Sequence, residues 1–403
     1  MKILLVQPEF PVPNKSLNHS NFLPIGLLKF ATYYREKGHR IKLVMGNKTI
    51  RELSISGVGR WYSPNKIMIT SLFTYWSEYV IKSATYYKKL FPNAELIIGG
   101  IYASLMPEHC KKETGCDNVY EGVCEEVEEC EPAYDLIDNI DYQILHASRG
   151  CLKKCNFCGS WKLEKEFKPQ KSIIDKIILK KLIFYDNNLL ANPHIKNILN
   201  ELIELKKQKK ITWCESQCGF DGEILISKSY LSNMIKKAGF RYPRIAWDGR
   251  YDQYPEIQKQ IEILINAGYR SKDIFIFVLY NWDIQFKEME KKRIKCWEWR
   301  VQIADCRYRP LNQNYDHYNG SKSNQTDKDY FIHPNWSDSS IKAFRKNIRN
   351  QNICIRQDTK YYSANIERKR ISKSEVIKYK KMDYQAAKKH IEDAWDPIKN
   401  YAI

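Results

Sequence analysis

Short apolar segments alternate with amphipathic helical segments along residues 1–122, and this alternation restricts the chain to folds built on parallel sheets. One helical segment runs from Pro24 to Lys37 and meets Gly38, a natural C-terminal cap. The expected strands are 3–7, 41–45, 66–71, 95–100 and 118–122. The pattern predicts an α/β domain with a doubly wound (Rossmann/flavodoxin-like) parallel sheet, whose ligands would lie at the carboxyl ends of its strands.

The same alternation resumes at Tyr142 and continues to residue 304. The expected strands are 142–147, 182–186, 211–215, 244–248, 274–280 and 299–304. Six strand–helix units predict a partial (βα)6 barrel of the TIM type over 142–304, with its chemistry at the carboxyl ends of the strands.

Two further regions interrupt this order. Residues 123–141 concentrate Glu and Asp, and we expect an acidic linker between the two domains. Residues 305–403 are rich in Lys and Arg and predict a mainly helical, basic extension that closes the barrel over its substrate. One helix there should begin near Ser337 or Asp338, and a second should cover 374–400.

The formal net charge is +19, from 66 Lys and Arg against 47 Asp and Glu. A basic solvated surface explains this charge, and nucleic acid is the alternative partner. No segment approaches the roughly 20 apolar residues of a membrane span, and the N-terminus does not resemble a signal peptide. We therefore expect a cytoplasmic protein, in which clustered cysteines are read first as metal ligands.

Three of the 12 cysteines are clustered, as Cys151, Cys155 and Cys158. Three thiolates on one short loop suit a soft metal centre and would leave one iron of a [4Fe–4S] cluster open. The triplet follows the first expected barrel strand, where active sites of such barrels lie. A zinc site is the alternative, but zinc usually needs a fourth ligand, and the nearest histidine, His146, belongs to the strand pattern.

The spacing C-x3-C-x2-C, with Phe157 just before the last cysteine, resembles the radical S-adenosylmethionine (SAM) superfamily. The resemblance implies that SAM binds the open iron and is cleaved reductively to a 5′-deoxyadenosyl radical, which abstracts hydrogen from the substrate. It also implies an oxygen-sensitive cluster and a flavodoxin- or ferredoxin-type electron donor.

Other SAM-contacting positions match the family only loosely. The end of the second barrel strand carries Asp186 and Asn187, where the family often has a polar motif facing the SAM amino group. Glu215 and Ser216 end the third strand, and Asp248 ends the fourth. For each residue, a cap or a turn is the structural alternative.

The phrases LPIGLLKFATYYREKGHRIKLV and AELIIGGIYASLMPEHC resemble the cobalamin-binding-type domain that precedes the barrel in one radical SAM subgroup. Gly99 and Gly100 would let a flat macrocycle approach the backbone, or would form an ordinary strand-to-helix turn. The Asp-x-His-x-x-Gly motif that supplies a cobalt ligand is missing, since His19 and His39 lack the spacing. Bound cobalamin therefore remains an open alternative.

The segment after the sixth strand concentrates polar side chains, among them Arg307 and Arg309, and His333 follows later. Arginine forks suit carboxylate or phosphate, so we expect these residues to hold the substrate, with structural ion pairs as the alternative. The substrate is expected to be a small molecule, with RNA or a peptide as alternatives. The remaining cysteines show no compact ligand spacing, so an auxiliary cluster is disfavoured.

Three functions follow from these features. The first is a cobalamin-dependent radical SAM methyltransferase that acts on an unactivated carbon, with methylcobalamin as donor. The second is a cobalamin-independent radical SAM enzyme that performs a rearrangement, an oxidation or a C–C bond step. The third, from another class, is a nucleic-acid-binding protein with a structural cluster, which would bind with a steep dependence on salt.

Overall fold

The computed structural model describes residues 1–12, 22–55, 63–368, 371–391 and 394–399. His19 lies outside them. The chain is a mixed α/β protein with an N-terminal parallel sheet, further parallel strands and a helical C-terminus, which confirms the predicted fold class. None of the described helices is long and apolar enough to cross a lipid bilayer.

The N-terminal sheet has the strand order β2-β1-β3-β4-β5, with every neighbouring pair parallel. This is the flavodoxin-like order of doubly wound folds. Its elements are β1 (Lys2–Gln7), α1 (Ile25–Glu36), β2 (Arg40–Met45), α2 (Ile50–Ile55), β3 (Lys66–Ser71), α3 (Ser77–Leu90), β4 (Glu95–Gly100), α4 (Ile101–Leu105), α5 (Pro107–Thr114) and β5 (Asn118–Tyr120).

Both faces of this sheet are covered, and its inner strand β1 is apolar and buried from Ile3 to Val6. Ile3 and Leu5 pack with Leu27 and Ala31 of α1 on one face. Leu4 and Val6 belong to the cluster on the other face, together with the buried side of α3. A strand buried on both sides reads as a continuous apolar run, which is what the sequence ILLVQ shows.

The second unit contains six parallel strands in chain order, in two sheets of order β10-β9-β6 and β11-β12-β13. A parallel bridge between Cys214 and Phe240 joins the two sheets. No pairing closes β13 onto β6 among the described residues, so the arrangement is an open partial barrel. Its elements are α6 (Glu125–Glu128), β6 (Gln143–Leu145), β7 (Ser148–Arg149), α7 (Ser160–Leu163), β8 (Lys168–Pro169), β9 (Lys181–Phe184), α8 (Ile195–Lys207), β10 (Trp213–Ser216), α9 (Gly222–Ser227), α10 (Tyr230–Ala238), β11 (Arg244–Ala246), α11 (Tyr254–Asn266), β12 (Phe275–Tyr280), α12 (Phe286–Glu298) and β13 (Gln302–Arg307).

The helix α8 shows why these segments pack against the strands. Its buried side chains recur at helical spacing and form one stripe: Ile195, Ile198, Leu199, Leu202 and Leu205. This stripe joins the fully buried Leu182 and Phe184 of β9 in the main core. The last strand starts and ends about three residues later than expected, so Arg307 lies on β13 rather than beyond it.

The acidic segment 123–141 lies between the two sheets and is fixed to both. On the N-terminal side, Lys29 of α1 pairs with Glu128 at 3.0 Å and Arg35 with Asp135 at 2.9 Å. On the barrel side, its carboxylates pair with Arg149, Lys168, Lys176 and Lys181. The Tyr134 hydroxyl also accepts the Ile144 N–H at 2.9 Å. The segment is thus a packed connector held by ion pairs.

The C-terminal extension is helical, as expected, but is more broken. The helix α13 (Asp338–Gln357) begins after the N-cap Ser337, which forms a capping box with Ser340. Three short helices follow: α14 (Ala364–Glu367), α15 (Lys373–Lys380) and α16 (Tyr384–His390). The single helix expected over 374–400 is wrong, because Asp383 caps a new helix with its side chain.

We predict that Gly100→Ala destabilises the N-terminal domain. Gly100 has φ of +98°, and a Cβ there would lie 2.2 Å from the Ser71 carbonyl oxygen. We expect the free energy of unfolding to fall by about 2 kcal/mol or more, in urea denaturation. The control Gly26→Ala adds a Cβ with nothing within 4 Å in α1 and should be neutral or stabilising by about 0.5 kcal/mol. If both substitutions change the free energy of unfolding equally, the close approach of the Ser71 carbonyl to Gly100 is contradicted.

Candidate active site at the cysteine loop

The three clustered cysteines lie on a closed loop that follows the first barrel strand, β6. The antiparallel strands β7 and β8 form its base, through the pairs Ser148–Pro169 and Arg149–Lys168. We call residues 148–169 the cysteine loop. Within it, the Cys158 N–H donates to the Cys155 carbonyl at 3.0 Å, and the Trp161 indole N–H donates to the same carbonyl at 3.1 Å. The loop thus has a defined conformation at the carboxyl edge of the barrel.

The three thiols are half-buried. Burial is the main cause that raises the pKa of Cys151 and that of Cys155, and the neighbouring Cys158 raises both further. Metal binding must therefore displace protons from these two thiols. Among the described residues, no three metal-ligating side chains converge on one ion. A cubane cluster makes a different demand, since each thiolate binds a different iron, and this soft donor set fits it.

Asp186 lies just beyond β9, where sequence analysis expected a SAM contact, and it is fully buried. Its carboxylate accepts the Ala147 N–H at 3.0 Å, the Ser148 N–H at 2.6 Å and the Ser148 hydroxyl at 2.7 Å. These bonds tie the entrance of the cysteine loop to the neighbouring strand. Contact of Asp186 with SAM stays a prediction.

The residues after Asp186 continue this edge. The Asn187 side-chain amide donates to Glu164 at 2.9 Å, and that of Asn188 donates to Asp221 at 2.9 Å. The buried Oδ1 of Asn188 has no hydrogen-bond partner in the described part of the chain. Glu164 could not be identified from the sequence, because a single Glu six residues after a cysteine belongs to no recognisable motif.

Glu215 and Ser216 end β10 and are both buried. Arg244 holds them by donating to the Glu215 carboxylate and, at 2.8 Å, to the Ser216 carbonyl oxygen. The buried Oε2 of Glu215 and Oε1 of Gln217 find no partner among the described residues. Together with Asn188, they present acceptor oxygens at two adjacent strand ends. Such acceptors fit a ligand with amino and hydroxyl donors, as SAM has.

Asp248 follows β11 and lies close enough to Cys155 to raise the pKa of that thiol, after the larger effects of burial and Cys158. Lys292 of α12 fixes its position. This fully buried lysine donates to the Trp247 carbonyl at 3.2 Å and to the Gly249 carbonyl. Burial lowers the pKa of Lys292 to about 8. A lysine within a helical pattern looks like a surface residue, so no sequence signal indicates this role.

Trp282, in the loop after β12, links the cysteine loop to the extension. Its ring centroid lies 6.2 Å from that of Phe157, which it contacts edge-on. The same centroid lies 4.1 Å from that of Tyr308 and 6.2 Å from that of His333. His333 also accepts the Asn335 N–H through Nδ1 at 3.2 Å. Phe157 and His333 thus contact the same indole ring, although 176 positions separate them in the sequence.

Arg307 and Arg309 converge on one carboxylate, that of Asp316. Arg307 donates to its two oxygens at 2.7 and 2.5 Å, and Arg309 donates at 2.6 Å. The Arg307 guanidinium also lies 4.6 Å from the Tyr318 ring, and that of Arg309 lies 4.3 Å from the Tyr75 ring. This arrangement matches the structural ion pair named as the alternative. Binding of substrate by these arginines stays a prediction.

The N-terminal domain brings its carboxyl edge to the same place. A Cβ on Gly159 of the cysteine loop would lie 3.4 Å from Leu105 at the end of α4. A cleft of about 660 Å³ lies between Ser104, Glu121 and Gly122 of this domain and residues 162–168 of the loop. Ligands of open parallel sheets bind at such edges.

The Ser71 backbone fills the side-chain position of Gly100, so this glycine offers no open cradle for a macrocycle. A Cβ on Gly99 would lie 3.5 Å from Tyr120, an ordinary contact distance. Of the described histidines of this domain, His39 contacts the N-terminal amine at 3.2 Å. His109 contacts the Tyr102 hydroxyl at 2.7 Å and Asn314 at 3.0 Å. Both imidazoles therefore already have partners within the protein.

The chain matches no family model and no curated protein. Among solved structures it is similar to apo, selenomethionine-labelled OxsB, described as a cobalamin-dependent S-adenosylmethionine radical enzyme. The identity is 15% and the TM-score 0.48, over 73% of this chain and 51% of that one. The chain thus spans about half the length of that protein. Similarity this weak indicates neither the activity nor the ligands of the chain.

We predict that Asp186 makes stability depend on pH in the acidic range. Burial raises its pKa from 3.8 to about 6, so between these values the folded state holds a proton that the unfolded chain has released. The contribution of Asp186 to the free energy of unfolding should therefore fall as pH rises from about 4 to about 6, and level off above. Urea unfolding of wild type and Asp186→Asn across this range measures it. If the difference in the free energy of unfolding between the two proteins stays constant with pH, the raised pKa of Asp186 is contradicted.

Proposed function

We propose that this protein is a radical SAM enzyme that holds a [4Fe–4S] cluster on Cys151, Cys155 and Cys158. The observation that carries the proposal is the placement of these three thiols on a closed loop at the carboxyl edge of a parallel partial barrel. In barrels of this type, catalytic groups gather at that edge. Three soft ligands on one loop leave one iron open for a further ligand.

When bound, the cluster and SAM supply one-electron reductive cleavage of SAM and a 5′-deoxyadenosyl radical. The chain's own residues orient and enclose them. Asp186 fixes the loop entrance, and the unpartnered oxygens of Asn188, Glu215 and Gln217 would accept hydrogen bonds from SAM. The aromatic contact of Phe157 with Trp282, in the loop after β12, covers one side of the cysteine loop. A covered site matters because a carbon radical reacts with whatever is near it.

Methyl transfer to an unactivated carbon, with cobalamin bound to the N-terminal domain, is the specific reaction we propose first. It is supported by the cleft at the carboxyl edge of that domain, beside the cysteine loop. The second candidate is rearrangement, oxidation or C–C bond chemistry without cobalamin. The Ser71 backbone, which fills the side-chain position of Gly100, favours this second candidate.

The substrate we propose is a small molecule bound under the C-terminal extension, near His333, Arg307 and Arg309. Electrons would come from a flavodoxin- or ferredoxin-type donor. RNA binding is less favoured because both arginines are already paired with Asp316, whereas binding a polyanion requires several available cations.

We predict that Cys155→Ala abolishes cluster assembly and SAM cleavage, because removing one thiolate leaves too few ligands. After anaerobic reconstitution, iron content, the visible spectrum and the yield of 5′-deoxyadenosine are measured with dithionite as reductant. The control Cys130→Ala removes a partly exposed thiol of the acidic segment and should keep about four irons per chain, as in a [4Fe–4S] cluster. SAM cleavage by Cys155→Ala at the wild-type rate would refute the assignment.

Cobalt content separates the two candidate reactions. We expect protein reconstituted with hydroxocobalamin and then desalted to retain about one cobalt per chain beside about four irons, as a one-site corrinoid enzyme with one cluster would. Iron without cobalt would leave the radical SAM proposal standing and exclude the cobalamin-dependent methyl transfer.

A further inference from the structure

The base of the cysteine loop rests on a compact ionic network formed by Lys29, Glu128, Arg149 and Glu164. Their side chains are only 11–20% exposed. The network holds two cations and two carboxylates, so its charges balance. In such a half-buried group, each member is stabilised mainly by its partners, and removing one leaves a charge uncompensated.

Glu164 joins three separate parts of the chain at the base of the loop. It accepts the Gly150 N–H at 2.5 Å, the Asn187 amide at 2.9 Å and Arg149 at 2.9 Å. Gly150 immediately precedes Cys151, and Glu164 follows Cys158 by six positions. One carboxylate therefore ties the two ends of the cysteine-bearing segment to each other and to the next strand.

Gly150 shows how tightly this base is closed. It has φ of +77°, and a Cβ there would lie 2.1 Å from the Glu166 carbonyl oxygen. Outgoing and returning backbones therefore meet at a distance that only glycine allows. A small loss of order at the base would shift Cys151, the next residue.

The network also reaches the N-terminal domain. Arg149 binds Glu128 through two parallel bonds of 2.7 and 3.0 Å, while its remaining nitrogen contacts Glu164 and His146. Glu128 belongs to the acidic segment and pairs at 3.0 Å with Lys29 of α1. A continuous chain of contacts thus runs from α1 to the backbone N–H beside Cys151.

We propose that Glu164 and Arg149 are positioning residues for the cysteine loop, and that Glu128 and Lys29 couple the docking of the N-terminal domain to the loop geometry. The expected effect on a cluster rests on the proposed function, whereas the positioning of the loop backbone does not. The network acts on the backbone that carries the thiols, so it determines how far the loop is preorganised to bind iron.

The first test uses iron-free protein and the substitution Glu164→Gln, which keeps the size of the side chain but removes its charge. Hydrogen–deuterium exchange of the Gly150 region should accelerate about tenfold, as expected for loss of a hydrogen bond to a charged acceptor. The matched control is Glu166→Gln, on the same segment, whose side chain is 78% exposed and has only a 3.8 Å contact with Lys168. Equal exchange in the two variants would overturn the proposal, whether or not the wild type binds iron.

The second test measures loss of iron to a chelator, together with the electron paramagnetic resonance signal of the reduced protein. Glu164→Gln should release iron about 10- to 100-fold faster than wild type, as for other losses of an outer hydrogen-bond partner. It should also show a signal that differs from that of Glu166→Gln. Iron release and signal identical to those of Glu166→Gln would overturn the proposal. If the wild type takes up no iron but Glu164→Gln still shows faster hydrogen–deuterium exchange, the proposed function is refuted and the positioning role stands.

Coupling to the N-terminal domain is tested with Glu128→Gln, which touches no backbone of the loop. We expect hydrogen–deuterium exchange of the Gly150 region to be faster than in wild type, as for Glu164→Gln. The control Arg35→Gln breaks an exposed ion pair across the same boundary and should leave the loop unchanged. An effect of Arg35→Gln equal to that of Glu128→Gln would mean that domain docking alone, and not this network, governs the loop.

Discussion

Two carboxylates, those of the buried Asp186 and the half-buried Glu164, hold the entrance of the cysteine loop in place. Asp186 and Glu164 together accept the backbone N–H groups of Ala147, Ser148 and Gly150, the residues that lead into Cys151. A buried carboxylate is costly unless its oxygens are hydrogen-bonded, and these bonds meet that condition by using the loop's own backbone. The conformation of the loop and the burial of the two acids therefore depend on each other.

Parallel topology explains why the candidate site residues share one edge of the barrel. All strands of a parallel sheet end at the same edge, so Asp186, Glu215 and Asp248 lie at that edge, each at or just beyond the end of one of three successive strands. The N-terminal sheet is also parallel, and its carboxyl edge, with α4, faces the cysteine loop. Two parallel units docked edge to edge create a cleft that neither unit would have alone. The acidic segment fixes the two edges by pairing with bases on both sides.

The sequence allowed the fold and the cysteines to be predicted because both depend on local spacing. Apolar periodicity identified every long strand, and C-x3-C-x2-C identified the loop. The supporting residues could not be found in this way. Glu164 and Lys292 look like surface residues of their segments, and their roles come from partners distant in sequence. The error over 374–400 has a similar origin, because a side-chain cap at Asp383 interrupts an otherwise helical composition.

The surroundings of Arg307 and Arg309 bear on the kind of substrate that we propose to bind under the extension. Asp316 compensates one of the two positive charges, so the pair presents a single excess charge. The rings of Tyr75 and Tyr318 lie against the guanidinium groups and further limit their freedom. An extended polyanion needs several mobile cations along its backbone, and this site does not offer them. A compact molecule with one anionic group and an apolar or aromatic part matches the single charge and the adjacent rings around Trp282.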